Sequence, residues 1–350
     1  MIKNSINYPQ SGTKLASCPK EEKYSKSKTS QTRGSSETTR EPTQTFSFNF
    51  DDYIVNYLPA HLHRQPKEEI IQFLEWFVGF SEGDGCFERR IADSRPRLSF
   101  TIAQMDPQLL YKLKTGLGFG TVRKEQYHEG LYRFSVSDKT GIRRLMAIFN
   151  GNIILPKVRN RYETWVNTID INKVWPDFKF RKNTVIPSLE TAWISGFSEA
   201  EGCFSVVLTT PSRRSIQEYR LIQKFSITQK DVLGEKKVLE QIRDLFKSTR
   251  KLTTPKTDCF RLEITSLESQ QCVTDYFCKF CLKGKKKITA FRWWRILLLR
   301  SNKVHYELAN KLKLKRLVNA LNKSTKKQIA IKEKVIRSKK ECEQSESILS

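Results

Sequence analysis

The chain has 350 residues, 38% of them hydrophobic and 21 of them phenylalanine, which is room for two ordinary domains with real cores and excludes wholesale disorder. Its 63 Lys and Arg against 37 Asp and Glu leave a formal charge of +26, which disfavours self-association and implies a monomer drawn to polyanions. Nucleic acid is the first candidate, since phosphate neutralisation releases counterions; an anionic membrane surface is the second. No stretch approaches the ~18 consecutive apolar residues of a spanning helix, and the N-terminus lacks a signal-peptide apolar core, so no membrane partner is expected.

Residues 1 to 45 are rich in Ser, Thr, Lys and Gln and nearly free of large aliphatics, so they cannot offset their own ordering entropy. A disordered basic leader is expected over residues 1–65, of presequence type except for Glu21, Glu22, Glu37 and Glu41. Dense apolar patterning begins near Pro66. EEIIQFLEWFVGFSE reads as a helix by its length and apolar density, and RLSFTIAQ as a strand. DPQLLYKLKTGLG opens with Asp-Pro and closes on Gly, as a helix should, and YRFSVS is a further strand. Residues 167–187 carry two prolines and little periodicity, and read as a linker. Beyond it, SLETAWISGFSE and DVLGEKKVLEQIRDLF are helical, while CFSVVL, KFSITQ and FRLEIT are strands. Cys278 and Cys281 form a lone C-x-x-C without a second pair at finger spacing, so zinc is the weaker reading and burial as small hydrophobes the stronger. Within 306–350, Leu308, Leu312, Leu317, Val318 and Leu321 fall near helical spacing and predict a basic amphipathic helix, followed by a charged tail.

These elements occur twice. IIQFLEWFVGFSEGDGCF (Ile70 to Phe87) returns as LETAWISGFSEAEGCF (Leu189 to Phe204), and FTIAQMD (from Phe100) as FSITQKD (from Phe225). YRFSVSD (from Tyr132) returns as FRLEITS (from Phe260). A K-x4-[YF]-x2-W block then occurs at Lys157, Tyr162 and Trp165 and again at Lys286, Phe291 and Trp294. Four blocks in one order, with separations creeping up as loops such as PSRRSIQ (Pro211 to Gln217) are inserted, establish a duplication. The halves are expected at 66–166 and 188–305.

Each repeated helix holds a glycine, Gly79 or Gly196, where glycine costs roughly 1 kcal/mol relative to Ala. Two at equivalent positions predict close approach of the two helices. Each helix then ends on two acids, Glu82 and Asp84 or Glu199 and Glu201, facing the negative end of its own macrodipole. A solvated, glycine-capped helix end would explain one copy. Two copies brought together need a positive charge, and hard oxygen ligands suit Mg²⁺.

WFVGFSEGDGCF and WISGFSEAEGCF resemble the two motifs of a single-chain, intron-encoded LAGLIDADG homing endonuclease, and the T-x-Q-K-D strand and later lysine block resemble the rest of that domain. The resemblance covers roughly residues 66 to 305. It implies an α+β fold of two pseudo-symmetric αββαββα domains, each with a curved antiparallel sheet, packed through the motif helices. It implies that Asp84 and Glu201 bind catalytic Mg²⁺, with Mn²⁺ able to substitute, beside the carbonyls of Gly83 and Ala200. Glu82 and Glu199 match an interface position. Gln104 and Gln229 match the polar residue near metal-bound water, and Lys157 and Lys286 the base near the scissile phosphates; Lys285 or Lys287 could stand in for Lys286. Gln108 and Leu233 fall where some members carry Arg. The implied activity is site-specific hydrolysis of double-stranded DNA, with the sheets in the major groove and short 3′ overhangs cut across the minor groove. Arg89, Arg90, Arg97, Arg123, Lys124, Arg220 and Lys224 are the candidate DNA contacts. Group I intron mobility and an organellar home, chloroplast or mitochondrion, go with this. The rivals are an RNA-binding maturase acting on its host intron RNA and a duplicated regulator without catalysis.

Overall fold

The computed structural model describes residues 44–323, apart from 46, 93–94, 127, 182–183, 210–218 and 308–309. A two-residue strand β1 (Gln44–Thr45) pairs in parallel with β6 (Thr184–Val185), and α1 (Asp51–Asn56) leads into the first repeat. That repeat runs α2 (Lys67–Asp84), β2 (Gly85–Ala92), β3 (Arg95–Gln104), α3 (Pro107–Leu117), β4 (Thr121–Lys124), β5 (Tyr132–Val136), α4 (Lys139–Phe149) and α5 (Pro156–Val166). After α6 (Ile171–Val174), the second runs α7 (Trp193–Glu201), β7 (Gly202–Thr209), β8 (Arg220–Lys230), α8 (Glu235–Leu245), β9 (Thr253–Lys256), β10 (Cys259–Ile264), α9 (Leu267–Lys279) and α10 (Lys286–Ser301). The strands make two antiparallel four-stranded sheets, ordered β2-β3-β5-β4 and β7-β8-β10-β9. The α+β, pseudo-symmetric architecture is therefore as expected, with a pair of helices rather than one closing each repeat.

Local chemistry accounts for the boundaries. Proline at the first turn starts α3 and α5, where its missing N–H would be unpaired anyway. Gly118 closes α3 in the left-handed region at φ 75°. Asp138 and Ser266 cap α4 and α9 by accepting the N–H groups of Gly141 and Ser269. In each sheet one row of side chains packs on helices: Phe87 stands opposite Phe100, and Phe204 opposite Phe225. Around the first pair gather Phe77, Phe149, Tyr162 and Trp165; around the second, Phe246, Phe277 and Trp293.

Five expectations need correction. The leader does not extend to residue 65: Phe50, Tyr53, Leu58 and Leu62 are buried, and the Asn49 backbone exchanges two hydrogen bonds with the Asn152 side chain. A few aromatics spaced in a polar stretch bury well but leave no period to detect. Residues 1–43 lie outside the described residues, as do 324–350 of the tail and the 211–217 insertion. The 167–187 segment is not a bare linker, since it contains α6, buries Phe178 and hydrogen-bonds both faces of the Asn150 amide through Lys179 and Arg181. Helix α7 begins at Trp193, four residues later than its apolar pattern suggests, because the Ala192 N–H is taken by Glu75 of α2. The helix at 310–323 buries Leu314, Val318 and Leu321, while Leu312 is 64% exposed. Finally, the lysine block is misaligned in the second repeat. Trp165 sends its indole N–H to the carbonyls of Glu88 and Ser99 on the sheet, and the residue doing this in α10 is Trp293, bonded to Lys224 O. Phe291 is 49% exposed, so its match to buried Tyr162 is one of sequence only.

Candidate functional site

Helices α2 and α7 cross at their glycines. A methyl on Gly79 would stand 2.2 Å from the Trp193 carbonyl oxygen, and one on Gly196 1.9 Å from that of Trp76, so each helix needs bare backbone there. Toward the C-terminal ends the approach continues: a methyl on Gly83 would meet the Ala200 Cβ at 2.3 Å and the Glu201 Oε1 at 3.6 Å. The Glu201 carboxylate thus lies beside the last turn of α2, where Asp84 is the next residue. Both chains then leave the helix directly into a strand, β2 or β7, which fixes the acids at the inner ends of the two sheets.

Gln104, at the end of β3, donates from Nε2 to Asp84 Oδ2 at 2.7 Å. The second repeat is built differently. The Gln229 Oε1 accepts from Lys157 Nζ at 2.7 Å, so the lysine of the first half reaches the glutamine of the second. Burial holds the Lys157 ammonium below the usual lysine range, while the carboxylates of Glu235 and Glu201 pull it back up. Lys286 points its ammonium at the carbonyl oxygens of Ser198, Glu199 and Ala200, at the C-terminal end of α7. A cation there meets the negative pole of the helix.

Glu82 and Glu199 hold these lysines in place. Glu82 is 2% exposed and accepts the backbone N–H groups of Ile154 and Leu155 and the indole N–H of Trp193. Burial raises its carboxyl to about 7 against those donors. Glu199 accepts from Lys283 and Gly284, just ahead of Lys286, and burial raises its carboxyl too. Sequence reasoning missed Glu235, fully buried, which accepts the backbone N–H groups of Lys157, Val232 and Leu233. Its repeat-equivalent is Leu110, so the duplication carries no signal for it. Asp106 plays a related part by pairing with Lys285 at 3.4 Å. Lys285 and Lys286 therefore have distinct places, and Lys286 is the one at the helix end.

The oxygen groups that the two helix ends carry are the Asp84 and Glu201 carboxylates and the adjoining backbone carbonyls of Gly83 and Ala200, the last approached by Lys286 Nζ at 3.4 Å. Among the described residues no group of three or more His, Cys, Asp or Glu side chains gathers anywhere. An all-oxygen set with helix-end carbonyls suits a hard divalent cation that keeps part of its water shell.

The sheet rows facing away from the helices carry the polar residues. Strand side chains alternate faces, so with Phe87 and Phe100 packed on the helices, Glu88, Ser99, Thr101 and Arg133 share the open face. Glu88 accepts from Thr101 Oγ1 at 2.6 Å and pairs with Arg133. Arg97 and Arg123 stand in the same rows, Arg123 directly opposite Arg133. Arg90 pairs in register with Arg97; its side chain lies outside the described residues. In the second sheet Arg220 and Lys224 occupy the open face, with Lys224 bound to Glu263 at 2.7 Å. Arg89 and Lys124 fall in the opposite rows, with Phe87 and Val122, and are exposed.

Comparison with known proteins gives a consistent answer. A family model described as LAGLIDADG endonuclease matches residues 77–169 and 194–297. The probable intron-encoded endonuclease 4 of Neurospora crassa is 32% identical over 254 residues, which are 72% of this chain and 45% of that protein. The chain thus spans about half the length of that relative. An uncharacterized cox1 intron-2 37.2 kDa protein of Schizosaccharomyces pombe is 25% identical over 77% of both chains. Among solved structures, the meganuclease I-AabMI bound to uncleaved DNA superposes with a TM-score of 0.58 at 21% identity, over 70% of this chain and 98% of that one. I-SmaMI bound to its uncleaved DNA target in the presence of calcium ions gives 0.56 at 17%, over 71% and 98%.

Proposed function

The chain belongs to the LAGLIDADG endonuclease family, and from that premise we propose that it is a homing endonuclease, hydrolysing both strands of a long asymmetric DNA target. One observation carries the reading: the Glu201 carboxylate sits 3.6 Å from the Cβ position of Gly83, next to Asp84, at the abutting ends of two helices that each launch a sheet. Asp84 and Glu201, with the carbonyls of Gly83 and Ala200, would hold Mg²⁺, with Mn²⁺ as a substitute. Such an ion, when bound, supplies Lewis-acid polarisation of a phosphate and lowers the pKa of coordinated water.

The chain's own groups do the rest. Gln104 holds the Asp84 carboxylate by donating to its Oδ2. Lys157, bonded to Gln229 and near the Glu201 carboxylate, and Lys286, at the end of α7, would balance charge on the scissile phosphates, and Glu235, Glu82 and Glu199 fix their backbones. Arg97, Arg123, Arg220 and Lys224, with Arg90 by register, give the open faces their positive charge toward a major groove. Arg89 and Lys124 are better placed for backbone phosphates. Relatives named for cox1 introns support an intron-encoded, organellar protein that promotes intron mobility.

The test is cleavage of a randomised plasmid library in Mg²⁺. Cutting at one rare site is expected, with Asp84→Asn or Glu201→Gln abolishing it while duplex binding persists. Binding without nicks on any member of the library would reject the enzyme.

A further inference from the structure

The two open faces are not copies of one another, and the difference is sharpest at one register position. In the second sheet Val207 lies directly opposite Ile222, in the row of Ser205, Thr209, Arg220 and Lys224. Aligning Phe87 with Phe204 and Phe100 with Phe225 makes the equivalent pair in the first sheet Arg90 and Arg97, also directly opposite one another. Where one half has two cations, the other has two branched aliphatics. Val207 is 45% exposed, whereas Val206, one residue earlier on the helix side, is fully buried. Val207 is left exposed and Ile222 only half-buried, outside the core, on a face otherwise polar and cationic.

Resting on the endonuclease reading, we propose that Val207 and Ile222 read a thymine in the half-site under the second sheet by packing against its 5-methyl group. That methyl is the only apolar group a base pair of unmodified DNA offers on its major-groove edge, and a branched aliphatic pair cannot satisfy the donors and acceptors any other base presents there. Arg220, two residues before Ile222, supplies positive charge toward a phosphate backbone, while Lys224, two residues after, is paired with Glu263. The target is then asymmetric at matched positions of its two halves.

The experiment uses the full chain and the target it selects from the cleaved library. Each thymidine in the half-site under β7 and β8 is replaced in turn by deoxyuridine, which removes only the methyl, and binding is measured by titration in the absence of divalent metal. At one position the wild type should bind about three- to fivefold more weakly, the size expected for one buried methyl. The double variant Val207→Ser/Ile222→Ser, which removes the side-chain methyls from both positions, should bind the thymidine and deoxyuridine duplexes equally. A target that is cut and bound yet indifferent to deoxyuridine throughout that half, or that shows no selected thymine there, overturns the methyl readout alone. So does a double variant that keeps the penalty. If no duplex is cut or specifically bound, the endonuclease reading falls and this proposal with it.

Discussion

At the residue scale, the site is organised by carboxylates that do not touch substrate. Glu75, Glu82, Glu199 and Glu235 are all buried, and each accepts one or more backbone N–H groups across a junction between elements. An ionised carboxylate offers about four acceptor sites on two oxygens, more than an amide or a hydroxyl. Their cost is pH dependence. Burial raises the carboxyls of Glu75 and Glu82 to about 7. The folded chain therefore binds protons between about pH 4.5 and 7 that the unfolded chain has lost, and stability falls as pH rises through that window. Glu75 bonds only the Ala192 N–H, so Glu75→Gln keeps an acceptor while removing the titration. The stability of this variant should fall less between pH 5 and 7 than that of the wild type, by about 2 kcal/mol for a carboxyl moved from 4.5 to about 7. Equal slopes in the two proteins would show that Glu75 stays ionised.

At the scale of elements, the α2–α7 crossing and the fit of the last helix on each sheet are the decisive contacts. Alanine normally stabilises a helix by roughly 1 kcal/mol over glycine, yet Gly79→Ala and Gly196→Ala should each destabilise by about 3 kcal/mol or more, because the new methyl meets backbone that cannot move aside. Urea midpoints would show the reversal of sign. The same method tests the register of α10. Trp293→Phe strands the Lys224 carbonyl and should cost about 2 kcal/mol. Trp294→Phe, at a position that is not buried, should stay within about 0.5 kcal/mol of wild type. The WW pair at Trp293–Trp294 hid this register from the sequence: one repeat offers a single tryptophan, the other offers two, and only contact with the sheet distinguishes them.

At the scale of the molecule, a formal charge of +26 makes the proposed DNA binding an electrostatic event before it is a specific one. Affinity should drop about a thousandfold or more between about 50 and 200 mM salt, as for proteins neutralising roughly six to ten phosphates. A plot of log affinity against log salt with a slope near zero would contradict phosphate contact by the open faces.

Sequence alone determined the duplication, the order of elements in each repeat, the two interface glycines and the pair of helix-end acids, because each rests on local periodicity or on a motif seen twice. The row in which Arg89 and Lys124 stand was not legible in the sequence: one residue of register turns a strand side chain to the other face, and only the pairing of Phe87 with Phe100 and of Val122 with Phe134 settles which row is which. Lys157 reaching Gln229, Glu235 receiving the Lys157 N–H and Phe50 entering the core were decided by tertiary structure. These contacts join residues about 70 to 100 apart in the chain, and no local pattern of apolar or polar residues constrains a distance of that kind until the two helices have met.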